Sequence, residues 1–244
     1  MVGKTEFKLD YSTVDLERSA VPVIVVAAGS FSRMNGIHKQ FSTICGIPTV
    51  IRSLMAFENS RFISRIVLVA RKEDIPQMQL QTQKYNISKL TDITPGGNCR
   101  QESVMRGMER LEAKETKVLI HDGARPLVSE SIISNTVLKL KCADAVVCAV
   151  KVNDTVKLCN DSNVVERTID RSHLYLAQTP QGVDVAKYKE AYAKFNDLDL
   201  TDDASIMERA GYSVLITEGS VQNIKITTPY DLKLAEMFIE GDSE

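Results

Sequence analysis

Apolar runs and amphipathic stretches alternate along most of this chain. Val23-Ile24-Val25-Val26-Ala27-Ala28 forms the first run, read as a buried strand over residues 22–28 that stops at Gly29. Ile66-Val67-Leu68-Val69, Val118-Leu119-Ile120, Ala145 to Val152 and Val214-Leu215-Ile216 repeat the pattern, and a short strand is expected around Ile224-Lys225-Ile226. Runs without alternating polarity belong to sheets covered on both faces. Helical spacing fills the intervals. Val50, Ile51, Leu54 and Met55 follow Pro48, and Val104, Met105, Met108 and Leu111 share one face over residues 100–111. Ser129 caps a stripe of Ile132, Ile133, Val137 and Leu140, and Pro229 opens a last helix with Leu232, Ala235, Phe238 and Ile239. Two more helices are expected, near 183–195 and from Thr201-Asp202-Asp203. This order predicts an α/β fold, a mainly parallel sheet with helices on both faces. Ligands of such sheets bind outside the carboxyl ends of the strands. Gly29 and His121-Asp122 each follow a predicted strand directly, so both are expected on that rim.

The rhythm breaks between Asn153 and Arg171. Thr155-Val156-Lys157-Leu158 and Val164-Val165-Glu166-Arg167-Thr168-Ile169 alternate in polarity around the turn-rich Asn160-Asp161-Ser162-Asn163. This predicts a two-stranded antiparallel ribbon, and isolated ribbons are marginal in water. It packs either on its own domain or on a second copy of the chain. Residues 1–19 are polar and of mixed charge, an extension ahead of the first core strand. Residues 20–244 read as a single domain carrying an arm at about 153–171.

Composition narrows the function. Among 244 residues the hydrophobic share is 43% and the charged share 25%, ordinary for a globular protein. The formal net charge of -2 and the lack of a Lys/Arg block disfavour a nucleic-acid partner. No apolar run approaches the about 18 residues that span a bilayer, so no membrane partner is expected. Cys45, Cys99, Cys142, Cys148 and Cys159 form no C-x-x-C pair and read as reduced thiols of a cytoplasmic protein. The N-terminus lacks a secretory pattern.

Three segments carry candidate chemistry. In the first, Ala27-Ala28-Gly29 is followed by Arg33 and Lys39. A strand feeding a small-residue loop brings backbone N–H groups to a phosphate, and two cations beyond it suit a polyphosphate. The alternative is a pair of solvated surface charges. The second, Gly96-Gly97-Asn98-Cys99-Arg100-Gln101-Glu102-Ser103, puts two glycines before a helix, with Ser103 one turn in. It reads as the edge of a planar base or as a plain turn with a surface Arg100. The third is His121-Asp122-Gly123-Ala124-Arg125-Pro126. There Asp122 suits a hydrated Mg²⁺ or a ribose hydroxyl. Arg125 either binds a phosphate or orients Asp122, and His121 reads as a packed histidine. Arg171, Thr179 and Lys225 are single polar residues near strand ends, candidates for a phosphorylated second substrate only in company.

Together these motifs resemble one family. Ala27-Ala28-Gly29, Arg33-Met34, Lys39-Gln40, Gly96-Gly97, Arg100, Ser103-Val104, His121 to Pro126, Asp154-Thr155, Thr179-Pro180-Gln181, Thr201-Asp202 and Asn223-Ile224-Lys225 occur in the order of the 2-C-methyl-D-erythritol 4-phosphate cytidylyltransferases. The resemblance runs from about residue 21 to 239. It implies a Rossmann-like nucleotidyltransferase fold with a protruding antiparallel arm, a cytoplasmic homodimer, and Mg²⁺-dependent joining of CTP to the sugar phosphate with release of pyrophosphate. By that likeness Arg33 and Lys39 stabilise the transition state at the α-phosphate. Ala27, Ala28, Gly29, Gly97, Asn98 and Ser103 bind cytidine, and Asp122 lies near the ribose and the Mg²⁺–triphosphate. Arg171 and Lys225 position the attacking phosphate, with Arg125, Thr155 and Thr179 in the same subsite. Thr155 and Arg171 reach a neighbour's site along the ribbon.

Three positions depart from the family pattern. Ser30-Phe31-Ser32 replaces a loop that often holds a second glycine, His38 stands where proline is frequent, and Asn98 where an acid is frequent. None removes a charged group given a catalytic role. The nearest rival is a cytidylyltransferase for ribitol 5-phosphate or another polyol phosphate; a silent nucleotide-binding module is a further one. A nicotinamide-dependent oxidoreductase requires G-x-G-x-x-G at the first turn, where only Gly29 is present.

Overall fold

The structure is a computed structural model and describes residues 20–29, 38–195 and 200–241. The extension 1–19, the loop residues Ser30, Phe31 and Ser32, and Arg33 lie outside the described residues. Seven strands form the main sheet: β1 (Val21–Val26), β4 (Ile63–Ala70), β5 (Leu90–Pro95), β6 (Lys117–Asp122), β7 (Ala145–Lys151), β10 (Tyr175–Asp184) and β11 (Val214–Glu218). Their order is β11-β7-β10-β6-β1-β4-β5. All run parallel except β10, which is antiparallel to both β6 and β7. Two short strands, β2 (Thr43–Ile44) and β3 (Ile47–Pro48), make a hairpin ahead of α1 (Thr49–Asn59).

Alternation along the strands explains the two helical layers. Val23, Val25 and Ala27 of the first strand face a core shared with α1, α2 (Ile75–Lys84) and α4 (Glu130–Leu140), through Leu54, Phe57, Met78 and Ile133. Ile24, with Val67 and Val69 of β4, faces the other core, shared with α3 (Arg100–Met108), α5 (Val185–Phe195) and α6 (Asp203–Arg209) through Val104, Met108, Tyr188 and Ile206. Among the described residues, no helix is long and apolar enough to cross a membrane.

Two expectations need correcting. No strand forms at residues 224–226. Ile226 donates one backbone hydrogen bond to the Ala124 carbonyl, at 2.8 Å. Its side chain joins Ile44, Ala124 and Ala235 of α7 (Pro229–Gly241) in a small third cluster, which accounts for the apolar character there. Conversely, the sequence pattern predicts no strand where β10 forms, because Ala177-Gln178-Thr179-Pro180-Gln181-Gly182 lacks any apolar alternation. Its ladder with β7 shifts register between Ala177 and Gln181. At that break the Gln178 side chain donates to the Ser220 carbonyl (2.8 Å), and the Thr179 carbonyl accepts from the Asn223 side chain (2.9 Å). The segment leading to Lys225 is thereby docked on the sheet.

The ribbon forms as expected from β8 (Val156–Cys159) and β9 (Val165–Ile169), with Val156 opposite Ile169. The Asn160 side chain closes its turn by accepting from the Ser162 and Val164 N–H groups, each at 3.0 Å. Both faces are exposed; only Val156 and Ile169 at the base are half-buried. Packing on its own domain is therefore not what holds the ribbon.

Candidate active site

The carboxyl ends of β1, β4, β5 and β6 surround a cavity of about 570 Å³. Ala28, Gly29, Lys39, Gly97, Asn98, Ser103, Asp122 and Lys225 line it, so most of the residues singled out in the sequence converge. Arg71, Cys99 and Arg100 line it as well.

One wall is the loop after β5. A Cβ on Gly96 would lie 2.3 Å from the Ala28 Cβ, and one on Gly97 would lie 2.4 Å from the Glu102 side chain. Only glycine permits this approach of the loop to the first strand and to α3. The loop is pinned from below. Gly97 N–H donates to Ser103 Oγ (3.0 Å), Ser103 Oγ donates to the Cys99 carbonyl (2.9 Å), and Asn98 N–H donates to Glu102 (2.8 Å). Arg106 holds both the Gly96 carbonyl (2.9 Å) and Glu102 (2.7 Å). The Asn98 N–H and Arg106 keep the Glu102 carboxyl below its usual range. The Gly97 and Asn98 N–H groups are spent within the loop, and what it presents to the cavity is a fixed, close-packed edge against which a planar base can lie.

At the centre stands Asp122. Lys225 Nζ is 2.7 Å from Asp122 Oδ2, Arg100 is 3.3 Å from Oδ1, and Arg125 Nε is 4.0 Å from Oδ2. Burial opposes ionisation here, but Arg100, Lys225 and Arg125 outweigh it and hold the carboxyl far below the usual range. Arg100 also grips Asp203 at 2.7 Å. Asp203 is fully buried and accepts from the Tyr188 hydroxyl at 3.0 Å. Burial works against the Arg100 charge too, and Asp203 with Asp122 reverses that, raising its pKa. Sequence reasoning missed this link. Thr201-Asp202-Asp203 signalled a helix start, and Asp202 does cap α6 by accepting from Ser205 N–H at 3.0 Å; nothing local pointed Asp203 at Arg100.

Behind Asp122 lies a second layer. His121 is fully buried, and burial pushes its pKa down to about 4. Its Nε2 meets the Arg125 carbonyl at 3.1 Å and its Nδ1 meets the Thr179 hydroxyl at 3.1 Å. A neutral ring with its proton on Nε2 satisfies both. Thr179 Oγ1 also accepts from the Asp122 N–H at 3.0 Å. Thr179 is thus an interior residue that orients Asp122 rather than one on the cavity wall. Arg125 likewise orients: it donates to the Asn223 carbonyl at 2.7 Å, steadying the segment that carries Lys225. Burial lowers its pKa.

Three expected contributors stand apart. Ala27 N–H donates to the Val69 carbonyl at 2.7 Å and its side chain is in the core, so Ala27 belongs to the sheet, whereas Ala28 and Gly29 reach the cavity. Thr155 and Arg171 are exposed at the base of the ribbon, outside the cavity lining, and Arg171 donates to the Asn153 carbonyl.

The seven-stranded α/β sheet and this cation-lined cavity at its carboxyl edge define a nucleotidyltransferase. The family model for IspD, 2-C-methyl-D-erythritol 4-phosphate cytidylyltransferase, matches residues 21–241. The chain belongs to that family. The enzyme so named from Halalkalibacterium halodurans is 41% identical over 220 residues, covering 89% of this chain and 96% of that protein. Its namesake from Clostridium novyi is 40% identical over 222 residues, with the same coverage. Among solved structures, the 4-diphosphocytidyl-2C-methyl-D-erythritol synthase of Anaerococcus prevotii superposes with a TM-score of 0.81 at 30% identity, covering 91% of this chain and 98% of that one. The Thermus thermophilus cytidylyltransferase superposes with a TM-score of 0.74 at 30% identity, covering 91% and 99%.

Proposed function

We propose that the cavity joins CTP to 2-C-methyl-D-erythritol 4-phosphate, giving 4-diphosphocytidyl-2-C-methyl-D-erythritol and pyrophosphate. The observation that carries this reading is the meeting of Lys39 and Lys225 on one cavity whose far wall is the Gly97–Asn98 edge. A phosphate oxygen of the sugar attacks the α-phosphorus, and the bond from that phosphorus to the bridging oxygen breaks toward pyrophosphate. The attacking oxygen is already an anion, so no side-chain nucleophile is needed. The protein supplies alignment and charge neutralisation. Ala28, Gly29, Gly97, Asn98 and Ser103 hold the cytidine. Lys39, with Arg33, meets charge building on the α-phosphate, and Lys225 guides the attacking phosphate.

Asp122 is the one carboxylate among the described residues that line the cavity, and those residues hold no cluster of three metal-ligating side chains. A Mg²⁺ here would keep waters and take most of its ligands from substrate phosphates, with Asp122, itself paired with Lys225 at 2.7 Å, as the one carboxylate on the wall. When bound with the triphosphate it supplies charge neutralisation at the phosphate oxygens. Asp122, Arg100 and Lys225 set the polarity around it.

The same reading makes the enzyme a cytoplasmic homodimer in which the arm brings Thr155 and Arg171 of the partner subunit to the sugar phosphate. Support comes from the exposed ribbon and from the exposed apolar residues Val164, Val165, Tyr175 and Leu176 on and beside it. Mixing two inactive variants tests it. A dimer of one Lys39→Ala and one Arg171→Ala chain contains one intact composite site, so the mixture recovers about a quarter of wild-type activity. A mixture as inactive as its components rejects the shared site.

Substrate choice is tested by pyrophosphate release with CTP and either 2-C-methyl-D-erythritol 4-phosphate or ribitol 5-phosphate, with ATP, GTP and UTP as controls. Release only with CTP and the methylerythritol substrate is expected. Preference for ribitol 5-phosphate would move the assignment to the sister enzyme.

A further inference from the structure

Arg71 follows directly on β4 and lines the same cavity as Gly29 and Lys39. The roles given above do not use it. Four cations line the cavity among the described residues, Lys39, Arg71, Arg100 and Lys225, against the single carboxylate of Asp122. Arg100 and Lys225 already face carboxylates, at the 2.7 Å contacts to Asp203 and Asp122. Lys39 and Arg71 share a different support. His38 Nε2 lies 2.9 Å from Asp74 Oδ1, and Asp74 is buried. The His38 ring also rests on Phe41, with centroids 4.5 Å apart. His38 immediately precedes Lys39, and Asp74 closes the turn that Arg71 opens. This pair therefore ties the Lys39 segment to the turn carrying Arg71, so that one contact holds the two segments that bring these cations to the cavity. Arg71 pairs with Glu73 of the same turn. Glu73 is 58% exposed and is not part of the cavity lining. An exposed counter-ion of this kind is readily exchanged for a polyphosphate, which a guanidinium meets with two parallel donors.

The geometry points to Arg71 as a further substrate-contacting residue, one that exchanges Glu73 for the terminal phosphates of the nucleotide, the part that leaves as pyrophosphate. This rests on the reading of the cavity as a CTP site. Calorimetric titration of the full chain and its Arg71→Gln variant with CTP, CMP and cytidine tests it. CTP binding should weaken about tenfold, the loss of a charge-assisted contact, while CMP and cytidine binding stays within about twofold. Glu73→Gln removes one competing carboxylate and should tighten CTP binding, and Arg71→Lys should recover part of the loss. Equal weakening for all three ligands places Arg71 at the base or ribose and overturns the proposal, as does no weakening for any. Should the wild-type chain bind another nucleoside triphosphate instead of CTP, the base assignment fails. The contrast between that triphosphate and its monophosphate then judges Arg71 on its own.

Discussion

Lys39→Ala is expected to cut turnover by a factor of about 10²–10³ while leaving the fold intact. Lys39 stands on a short turn after the first strand, and its Nζ lies 3.9 Å from where a Gly29 Cβ would sit. The ammonium group is therefore against the Gly29 turn, which the proposed mechanism makes the seat of the α-phosphate. Charge grows on the phosphate oxygens as pyrophosphate departs, so a fixed cation there acts on the transition state more than on bound CTP. The signature is a large fall in kcat with a small change in KM for CTP. Pyrophosphate release at saturating substrates, beside an unchanged denaturation midpoint, is the measurement. Turnover within a few-fold of wild type would remove Lys39 from the mechanism.

Asp203→Ala is expected to cost about 3–5 kcal/mol of stability. The carboxylate is fully buried, and its loss leaves the Tyr188 hydroxyl without its partner and the Arg100 guanidinium with only its longer contact to Asp122. Breaking one side of a buried ion pair costs more than the pair contributes, because the remaining charge stays desolvated. Urea unfolding of wild type and variant reads the loss directly. The double variant with Arg100→Ala should be less destabilised than the sum of the singles, since the stranded charge is gone. A loss below about 1 kcal/mol, the size of an ordinary surface effect, would show that water or Asp122 already satisfies Arg100.

The parallel core strands were legible because burial on both faces leaves an unbroken apolar run, as in Val23 to Ala28. The strand holding Thr179 was not, since its Ala177–Gly182 stretch has no apolar run: its ladder with β7 is interrupted, and polar side chains, Gln178, Thr179 and Asn223, secure the break. The expected strand at Ile224–Ile226 failed for the opposite reason: its apolar residues serve a local cluster, and no neighbouring strand offers a ladder. In the site, the Gly96-Gly97 loop and Asp122 carried local signals. For Arg125 the residue type leaves two roles open, phosphate ligand or support for Asp122, and only the fold shows its contacts with the Asn223 carbonyl and Asp122; Thr179 likewise meets the Asp122 N–H through a partner no local pattern encodes. The His38–Asp74 and Arg100–Asp203 pairs join residues far apart in sequence, and no local periodicity encodes such partners.

The loop after β5 also limits how this enzyme can diversify. With no room for even a methyl group at Gly96 or Gly97, the cavity wall proposed to meet the nucleobase has no slack, and substitutions there displace the Ala28 segment or α3 first. A lineage acquiring a taste for a different base would have to write that change at Asn98 or Cys99, where side chains already project along the rim.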